Sequence, residues 1–523
     1  MDDVVPARLR RAAERRPHAT VLVAPAGPAT TRVSFAELAT RAEEAAASLE
    51  ERGLEPGDRV ALLAGNGEPV VVAWFAIVAA GAVVVPISTV SGALEIAGRL
   101  DHARCRLVLH DAAHAGLASA AIAASRHGAQ AVDVADLAAP GARPARPPIA
   151  PDAPAMILYT SGTTGRPRGV VIAHRALVGH TRVLVDRVLA LGPEDAILGV
   201  LPLAHSYGCR MVMLASVEAG CRAILLPRFD PAGSLDAMIA ERATWVPAVP
   251  TMYAAWAALP EGARPESLRW CMSAGSPLAD ETLRRAEARL GTTIRQAYGM
   301  TEATISTVDA PPAERVAGSV GRPVPGVEVR IVDDADRDVP PGAQGQVLLR
   351  GHNLMSGYLD DPDETASALR GGWMHTGDVG RLDADGRLFV VDRLKDMIIR
   401  GGNNVIPSEV EAALASHPGV REVAVVGRPD AYLGEEVVAV VVPAEGASPT
   451  PEELRDWAAA RVASIKVPRE YALVAELPLG PSRKVLKREL RERVRDGALA
   501  TVRPEGRPGG PARESRTKSP LSR

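Results

Sequence analysis

Cysteine is scarce in this 523-residue sequence, and no two cysteines form a CxxC pair. The four cysteines are Cys105, Cys209, Cys221 and Cys271, with no histidine cluster at metal-ligand spacing. A disulfide framework or a structural zinc site needs such closely spaced ligands. The sequence therefore argues against both and favours a reducing compartment, the cytoplasm.

The sequence also lacks an excess of one charge and an apolar run long enough to cross a membrane. It contains 60 lysines and arginines and 63 aspartates and glutamates, which gives a net charge of −3. The overall charge therefore gives no reason to expect binding to nucleic acid or to an anionic membrane. The longest apolar run, residues 70–85, contains Gly81 and ends at Pro86. Because a span needs roughly 18 to 20 residues, this run predicts a core helix followed by a strand.

What the sequence does contain is an alternation of helical and strand patterns. At about 150 residues per domain, the length predicts two to four domains. Apolar strand candidates, several separated by helical stretches such as 277–290, lie at residues 59–63, 83–87, 155–159, 223–226, 245–249 and 268–273. This alternation predicts an α/β fold of layered subdomains. Between about residues 328 and 391, short strands around Gly, Pro and Asp turns predict a smaller β-rich subdomain.

A second compact unit of α+β pattern begins near Arg393. Predicted helices at 408–416, 451–463 and 486–495 surround an apolar strand at 437–442. The tail from residue 496 is rich in Pro, Gly, Ser and Arg and has few large apolar side chains, which predicts disorder. We therefore predict a large N-terminal domain (1–391), a small C-terminal domain (392–495) and a disordered tail (496–523).

The most specific local motif is a string of glycines and hydroxyl side chains at residues 159–170. Its candidate phosphate-binding residues are Thr160, Ser161, Gly162, Thr163, Thr164, Gly165 and Arg168. Backbone N–H groups and hydroxyls in such a loop can surround a polyphosphate, and Arg168 adds a fixed positive charge. The string lacks the Gly-Lys-Ser/Thr ending of a Walker A loop, and a strand pattern rather than a helix follows it.

This string resembles the phosphate-binding signature of the adenylate-forming superfamily, which includes acyl-CoA synthetases, aryl-CoA ligases, peptide-synthetase adenylation domains and beetle luciferases. Further segments resemble the other motifs of that superfamily and follow in its order: residues 201–208, 296–303, 375–378, 392–396, 401–411 and Lys484. The resemblance implies an AMP-forming acid–thiol ligase with a mobile C-terminal domain. A carboxylic acid and MgATP would give acyl-AMP and pyrophosphate, and coenzyme A would then displace AMP.

The resemblance also implies roles for individual residues. The catalytic residues would be Lys484, His205 and Arg168. The ATP and AMP site would contain the loop residues Thr160 to Gly165 together with Gly275, Ser276, Tyr298, Gly299, Thr301, Asp378 and Arg393. Mg²⁺ would be held by Glu302, a hard oxygen ligand, and by Thr160. The acyl pocket would be lined by His205, Tyr207, Gly275, Gly299, Met300 and Thr304. Lys395 would be the hinge, and Gly401 and Gly402 would allow the pantetheine arm to approach.

Several alternatives remain open on the sequence. His205 fits a packed core histidine as well as a gate beside the acid, and Lys487 is a rival to Lys484. The superfamily usually has lysine where Arg168 stands and glycine where Arg483 stands. The acceptor could be a carrier-protein phosphopantetheine arm instead of coenzyme A. The two departures also suggest a degenerate, non-catalytic nucleotide-binding protein. The sequence fits a monomer or a homodimer.

The segments expected to line the acid pocket predict the kind of acid. Residues 205–208, 273–277 and 298–304 contain no lysine or arginine, and their one carboxylate is Glu302. A second charge on the substrate would be buried there without a partner, which is costly. The sequence therefore predicts a monocarboxylic acid with an apolar aliphatic or aryl body, and Arg210 is the nearest exception.

Overall fold

The computed structural model describes residues 3–26, 29–137, 146–160, 168–393, 396–401, 403–430, 432–480 and 485–504. The described chain forms two compact units. The first comprises the residues up to Thr376 together with Gly380–Val390, and the second begins at Val391 and includes Gly377–Val379. Within the described ranges, no helix has both the length and the apolar character of a membrane span.

The strands are named in chain order. They are β1 (Thr20–Ala26), β2 (Ala29–Ser34), β3 (Arg59–Leu63), β4 (Val83–Pro86), β5 (Cys105–His110), β6 (Gln130–Asp133), β7 (Pro154–Thr160), β8 (Arg168–Ala173), β9 (Ala196–Gly199), β10 (Arg222–Leu225), β11 (Trp245–Ala248), β12 (Trp270–Ser273), β13 (Ile294–Met300), β14 (Thr304–Val308), β15 (Arg322–Pro323), β16 (Val327–Val332), β17 (Gly345–Gly351), β18 (Gly357–Tyr358), β19 (Met374–Leu382), β20 (Leu388–Arg393), β21 (Ile398–Arg400), β22 (Asn403–Val405), β23 (Val420–Asp430), β24 (Gly434–Pro443) and β25 (Glu470–Leu473).

The α-helices are named in the same way. They are α1 (Val5–Arg15), α2 (Phe35–Glu51), α3 (Glu68–Ala79), α4 (Ala93–Ala103), α5 (Ala115–Ala124), α6 (His174–Val183), α7 (Ser206–Gly208), α8 (Ala215–Ala219), α9 (Pro231–Ala240), α10 (Pro250–Ala257), α11 (Asp280–Leu290), α12 (Pro362–Ala368), α13 (Pro407–Ala415), α14 (Pro451–Ala459) and α15 (Lys487–Arg495). Two π-helical segments, Leu184–Leu189 and Cys209–Leu214, extend α6 and α7.

Local sequence explains where these elements begin. Ser34 caps α2 by accepting a hydrogen bond from the Glu37 backbone N–H, and Glu37 accepts one from Ser34 in return, which is a capping box. The apolar run at 70–85 folds as the buried helix α3 followed by the buried strand β4, so the prediction of a core helix and a strand is confirmed. The predicted α/β alternation is confirmed as well.

Two largely parallel sheets form most of the first unit. One has the order β18-β8-β7-β4-β3-β5-β6, with β7, β4, β3, β5 and β6 parallel. The other has the order β15-β14-β13-β12-β11-β9-β10-β1-β2, and its strands from β13 to β1 are parallel. A four-stranded sheet, β16-β17-β19-β20, forms the predicted β-rich region.

The second unit is a sheet of order β22-β21-β24-β23, with β25 beside β24 and helices on both faces. One face packs against α13 and α14 and the other against α15. The predicted disorder from residue 496 is wrong for residues 496–504. Val502 exchanges two backbone hydrogen bonds with Tyr471, and Arg503 pairs with Glu470 at 2.7 Å, so this part of the tail is held on β25. The rest of the predicted tail, from residue 505, lies outside the described residues.

The four cysteines are buried and unpaired. Burial raises the pKa of the thiols of Cys105, Cys209 and Cys221 to about 12 and raises that of Cys271 as well. The prediction that the chain has no disulfide framework therefore agrees with the placement of all four side chains.

Candidate active site

Three segments with predicted site residues follow the carboxyl ends of parallel strands in the first unit. Strands β9, β12 and β13 run parallel in the nine-stranded sheet, and residues 200–208, 274–276 and 301–303 come directly after them. Carboxyl ends of parallel strands meet at one edge of a sheet, which is where α/β proteins bind ligands. The topology therefore brings these three segments to the same edge.

A tight turn between β13 and β14 positions Glu302. Met300 pairs with Thr304 across this turn, and a Cβ atom on Gly299 would lie 1.8 Å from the Thr304 carbonyl oxygen. Only glycine fits such a close approach between two backbones. Glu302 in the turn is 8% exposed, and its carbonyl accepts a 2.7 Å hydrogen bond from Met355 N–H. The turn thus holds a carboxylate in a buried position.

Tyr358 connects this carboxylate with the end of the phosphate string. Its hydroxyl donates a 3.1 Å hydrogen bond to Glu302 Oε1, and its ring centroid lies 5.4 Å from the guanidinium carbon of Arg168. Arg168 Nη1 also forms a 2.7 Å ion pair with Oε1 of Glu364 on α12. Burial and the charge of Glu302 raise the pKa of Tyr358, so its hydroxyl stays protonated and donates.

The phosphate string begins and ends on one hairpin. Thr160, the last residue of β7, and Arg168, the first of β8, are directly paired, and both are half-buried. The strand pattern predicted after the string is therefore confirmed. The remaining predicted phosphate ligands, Ser161, Gly162, Thr163, Thr164 and Gly165, lie outside the described residues.

His205 and Tyr207 occupy the segment between β9 and the following helical turns. His205 is half-buried and not in the core, and its Nδ1 accepts a 3.2 Å hydrogen bond from the Tyr207 backbone N–H. The Tyr207 hydroxyl is buried and donates to the carbonyl of Met272 at 3.0 Å. A Cβ on Gly208 would lie 2.3 Å from the Pro202 carbonyl oxygen, so the turn requires glycine. This packing fixes the segment against the end of β12.

The other predicted residues are distributed as follows. Gly275, Thr301 and Met300 are half-buried, Ser276 is exposed, and Tyr298, Thr304 and Asp378 are buried. Asp378 lies on β19, Arg393 ends β20, and Gly401 donates its N–H to the Leu433 carbonyl at 2.7 Å. Lys395, Gly402 and Lys484 lie outside the described residues.

Lys487, the rival to Lys484, forms an ion pair within the second unit. Its Nζ lies 2.7 Å from Glu411 Oε1, which also accepts a 2.7 Å hydrogen bond from the Val425 backbone N–H. Burial raises the pKa of Glu411, and the charge of Lys487 opposes that shift. Lys487 is therefore already paired at the base of α15.

Sequence reasoning missed Tyr358 and Glu364. Both act through contacts with residues far away in the sequence: β18, which carries Tyr358, pairs with β8, and Asp361 caps the helix that carries Glu364. The short Gly-Tyr strand has no apolar periodicity, so only the pairing of β18 with β8 identifies Tyr358 as part of the site. The predicted set lacked the residues that connect its members.

The residues around Glu302 suit a magnesium ion shared with phosphate oxygens. Among the described residues there is no group of three or more His, Cys, Asp or Glu side chains placed to hold a metal. Mg²⁺ bound to a nucleotide needs only one or two protein carboxylates, because phosphates and water supply the other ligands. Glu302 is a buried hard-oxygen ligand oriented by Tyr358, so it fits this role.

Comparison with known proteins agrees with the motifs and the geometry. The family model described as AMP-binding enzyme matches residues 9–359, and the one described as AMP-binding enzyme C-terminal domain matches residues 409–484. The chain is 40% identical over 488 residues to feruloyl-CoA synthase of an Amycolatopsis species, covering 92% of this chain and 97% of that protein. It is 34% identical over 470 residues to sulfoacetate–CoA ligase of Cupriavidus necator, covering 88% and 92%.

A solved structure shows the same architecture. The crystal structure of ATP-bound MatB from Rhodopseudomonas palustris superposes with a TM-score of 0.88 at 32% sequence identity, covering 95% of this chain and 99% of that one. The chain therefore belongs to the AMP-binding enzyme family, the adenylate-forming superfamily. Within that family it is an acyl-CoA synthetase, an AMP-forming acid–thiol ligase, so the predicted fold and enzyme class are confirmed.

Proposed function

We propose that this synthetase activates a small carboxylic acid at the edge of the nine-stranded sheet, with Glu302 holding Mg²⁺ and Arg168 binding ATP phosphates. The observation that carries this proposal is the connection from Arg168 through Tyr358 to Glu302. It couples a cation at the end of the phosphate string to the carboxylate expected to face the metal. A catalytically inactive nucleotide-binding protein would not require that coupling.

The reaction brings two anions together. Catalysis therefore depends mainly on neutralising their negative charge and on holding the reacting groups in position. A carboxylate attacks the α-phosphate of ATP, and pyrophosphate leaves. Mg²⁺ would neutralise part of the phosphate charge. Arg168 supplies fixed positive charge, and the ion pair with Glu364 and the Tyr358 ring restrict its orientation. His205, half-buried beside Tyr207, would lie at the entrance for the acid.

Other predicted roles remain part of this proposal. Lys484 would bridge the acid and the α-phosphate, Lys395 would act as the hinge of a mobile C-terminal domain, and Gly401 and Gly402 would admit pantetheine. The ion pair of Lys487 with Glu411 supports Lys484 as the catalytic lysine. Four unpaired buried cysteines support a cytoplasmic location. A monomer or a homodimer is expected.

A two-stage assay tests the proposed function. Purified protein is given MgATP and a panel of carboxylic acids, and acid-dependent pyrophosphate release is measured; coenzyme A is then added and the thioester is identified by mass. We expect both products with the same acid. If pyrophosphate is released but the acyl group is transferred only to a phosphopantetheinylated carrier protein, the acceptor is that carrier protein and not coenzyme A. No acid-dependent release with any acid would refute the proposal.

A further inference from the structure

Arg210 is a buried arginine with no hydrogen-bond partner in the described part of the chain. It lies in the π-helical segment Cys209–Leu214, five residues after His205, and it is 2% exposed. None of its three guanidinium nitrogens is hydrogen-bonded to any described residue. Buried polar groups in proteins are almost always hydrogen-bonded, so three unbonded nitrogens on one cation require a specific explanation.

No described carboxylate compensates the charge of Arg210. Burial lowers its pKa to about 10, and only the neighbouring Cys209 thiol opposes that shift. With a pKa near 10 the guanidinium is still charged at neutral pH. Burial lowers the pKa of the neighbouring His180, and Arg210 and then His352 lower it further, so His180 is neutral. The described surroundings therefore supply no counter-ion for this positive charge.

The neighbours of Arg210 connect it with the segments expected to line the acid pocket. His180 Nε2 donates to the Ile305 carbonyl at 2.7 Å, directly after Thr304. Tyr207 bonds to the Met272 carbonyl, directly before Ser273. The hydroxyl oxygens of Thr304 and Ser273 are also buried, and neither has a hydrogen-bond partner among the residues that the structure describes. His180, whose ring senses the charge of Arg210, and Tyr207, three residues before it, thus link the segment of Arg210 to the two strands that carry these hydroxyls.

We propose that Arg210 receives a second anionic group of the acid, a carboxylate or a sulfonate at the end remote from the reacting carboxylate. This inference rests on the proposed function, because it assumes that the acid binds at this edge of the sheet. A guanidinium can bind such a group through two parallel hydrogen bonds, and the hydroxyls of Thr304 and Ser273 can donate further ones. The substrate class is then a dianionic acid, which replaces the monocarboxylic acid expected from the sequence.

The kinetic test compares acids of matched length. Pyrophosphate release is measured with succinate and butyrate, with adipate and hexanoate, and with sulfoacetate and propionate. For at least one pair, the wild-type kcat/KM should be roughly 100-fold or more higher for the dianionic acid than for the monocarboxylic acid of matched length. The reason is that an apolar chain end would leave the buried cation without a hydrogen-bond partner. The variant Arg210→Met should lose or invert that preference. Arg210→Lys, which keeps the charge but not the two parallel donors, should retain part of it.

A stability measurement distinguishes this role from a structural one. Arg400 is a matched control: it is 3% exposed, but it pairs with Glu436 at 2.7 Å. In the absence of ligand, Arg210→Met should raise the melting temperature, by about 2 °C, because it removes an uncompensated buried charge, whereas Arg400→Met should lower it. The preferred dianionic acid should raise the melting temperature of the wild type but not of Arg210→Met.

The outcomes separate the two proposals. Wild-type thioester formation with a preference for monocarboxylic or neutral phenolic acids would leave the proposed function standing and overturn the role of Arg210. If no acid releases pyrophosphate, the proposed function fails, and the melting shift caused by the dianionic acids alone decides the role of Arg210. A fall in melting temperature in Arg210→Met as large as in Arg400→Met would identify an ordinary structural arginine. If Arg210→Met does not fold, the kinetics of the wild type and of Arg210→Lys test the proposal. A wild-type preference for a dianionic acid that is reduced in Arg210→Lys supports it, and no such preference in the wild type overturns it.

Discussion

Tyr358 donates its hydroxyl hydrogen to Glu302 Oε1 at 3.1 Å, and this bond fixes one oxygen of the carboxylate proposed to bind magnesium. Arg168 lies over the Tyr358 ring, with its guanidinium carbon 5.4 Å from the ring centroid. One buried tyrosine therefore contacts both the carboxylate proposed to bind the metal and the cation proposed to bind phosphate.

Tyr358→Phe should lower kcat/KM for pyrophosphate release by about 10- to 100-fold, because a hydrogen bond to a charged group is worth roughly 1.5–3 kcal/mol. The loss should be smaller at high Mg²⁺ concentration, since excess metal compensates a weakened site. Tyr471→Phe is the control, because that buried hydroxyl has no hydrogen-bond partner among the described residues. Equal activity in the two variants would contradict the role of Tyr358.

Arg168→Gln should lower kcat/KM for ATP by about 10²-fold, because it removes a fixed charge near the phosphates. Arg168→Lys should lose much less, since it keeps the charge while giving up the planar contact with the Tyr358 ring. Steady-state kinetics with varied ATP measure both effects. The control is Arg175→Gln, which breaks an ion pair with Asp152 near the start of α6. This variant should leave kcat/KM for ATP unchanged. Similar losses in Arg168→Gln and Arg175→Gln would contradict a phosphate role.

Lys484→Ala should lose activity, whereas Lys487→Ala should lose stability. Loss of a preorganised charge at the transition state should reduce acyl-AMP formation by roughly 10² to 10³ in Lys484→Ala, with little change in melting temperature. Lys487→Ala leaves Glu411 without its cation and should destabilise the second unit by about 1–3 kcal/mol. Pyrophosphate release and thermal unfolding, measured on both variants, distinguish these results. The reverse pattern would show that Lys487 is the catalytic lysine.

The free energy of unfolding of the first unit should fall in mild acid because of His174. Burial lowers the pKa of His174 to about 4, and its Nδ1 accepts a hydrogen bond from the Val5 N–H at 3.3 Å. Below the unfolded-state pKa of about 6.5, only the unfolded chain gains the proton, so stability should fall by about 2 kcal/mol between pH 8 and pH 5.

Denaturant unfolding at the two pH values measures this change. His174→Asn keeps an acceptor close to the position of Nδ1 and cannot be protonated, so its pH dependence should be shallower. The exposed His127→Asn is the control and should follow the wild type. The same pH dependence in His174→Asn and the wild type would refute the assignment to His174.

The fold was predictable from the sequence because its signals are local. Apolar runs of strand length alternate with helical stretches, and the capping pair Ser34 and Glu37 marks a helix start within four residues. The motifs around Gly299 and Glu302 were predictable for the same reason, since a close turn requires glycine at a fixed place in the sequence.

Long-range features were not predictable in this way. Tyr358 meets Glu302 only because β18 pairs with β8, and no local pattern encodes that pairing. The composition of residues 496–504 predicts disorder, yet two backbone hydrogen bonds to Tyr471 and the charge of Glu470 hold them. Arg210 has an ordinary helical context in the sequence. That no described carboxylate pairs with it is visible only in the folded structure.

The buried thiols bear on the enzyme's own chemistry. An acyl-adenylate is an electrophile that reacts with thiolates, and the second substrate of this enzyme is itself a thiol. With pKa values near 12 for Cys105, Cys209 and Cys221, the thiolate fraction of these residues at neutral pH is negligible, and burial denies access to all four cysteines. Both properties disfavour acylation of these thiols by the adenylate and mixed disulfides with coenzyme A.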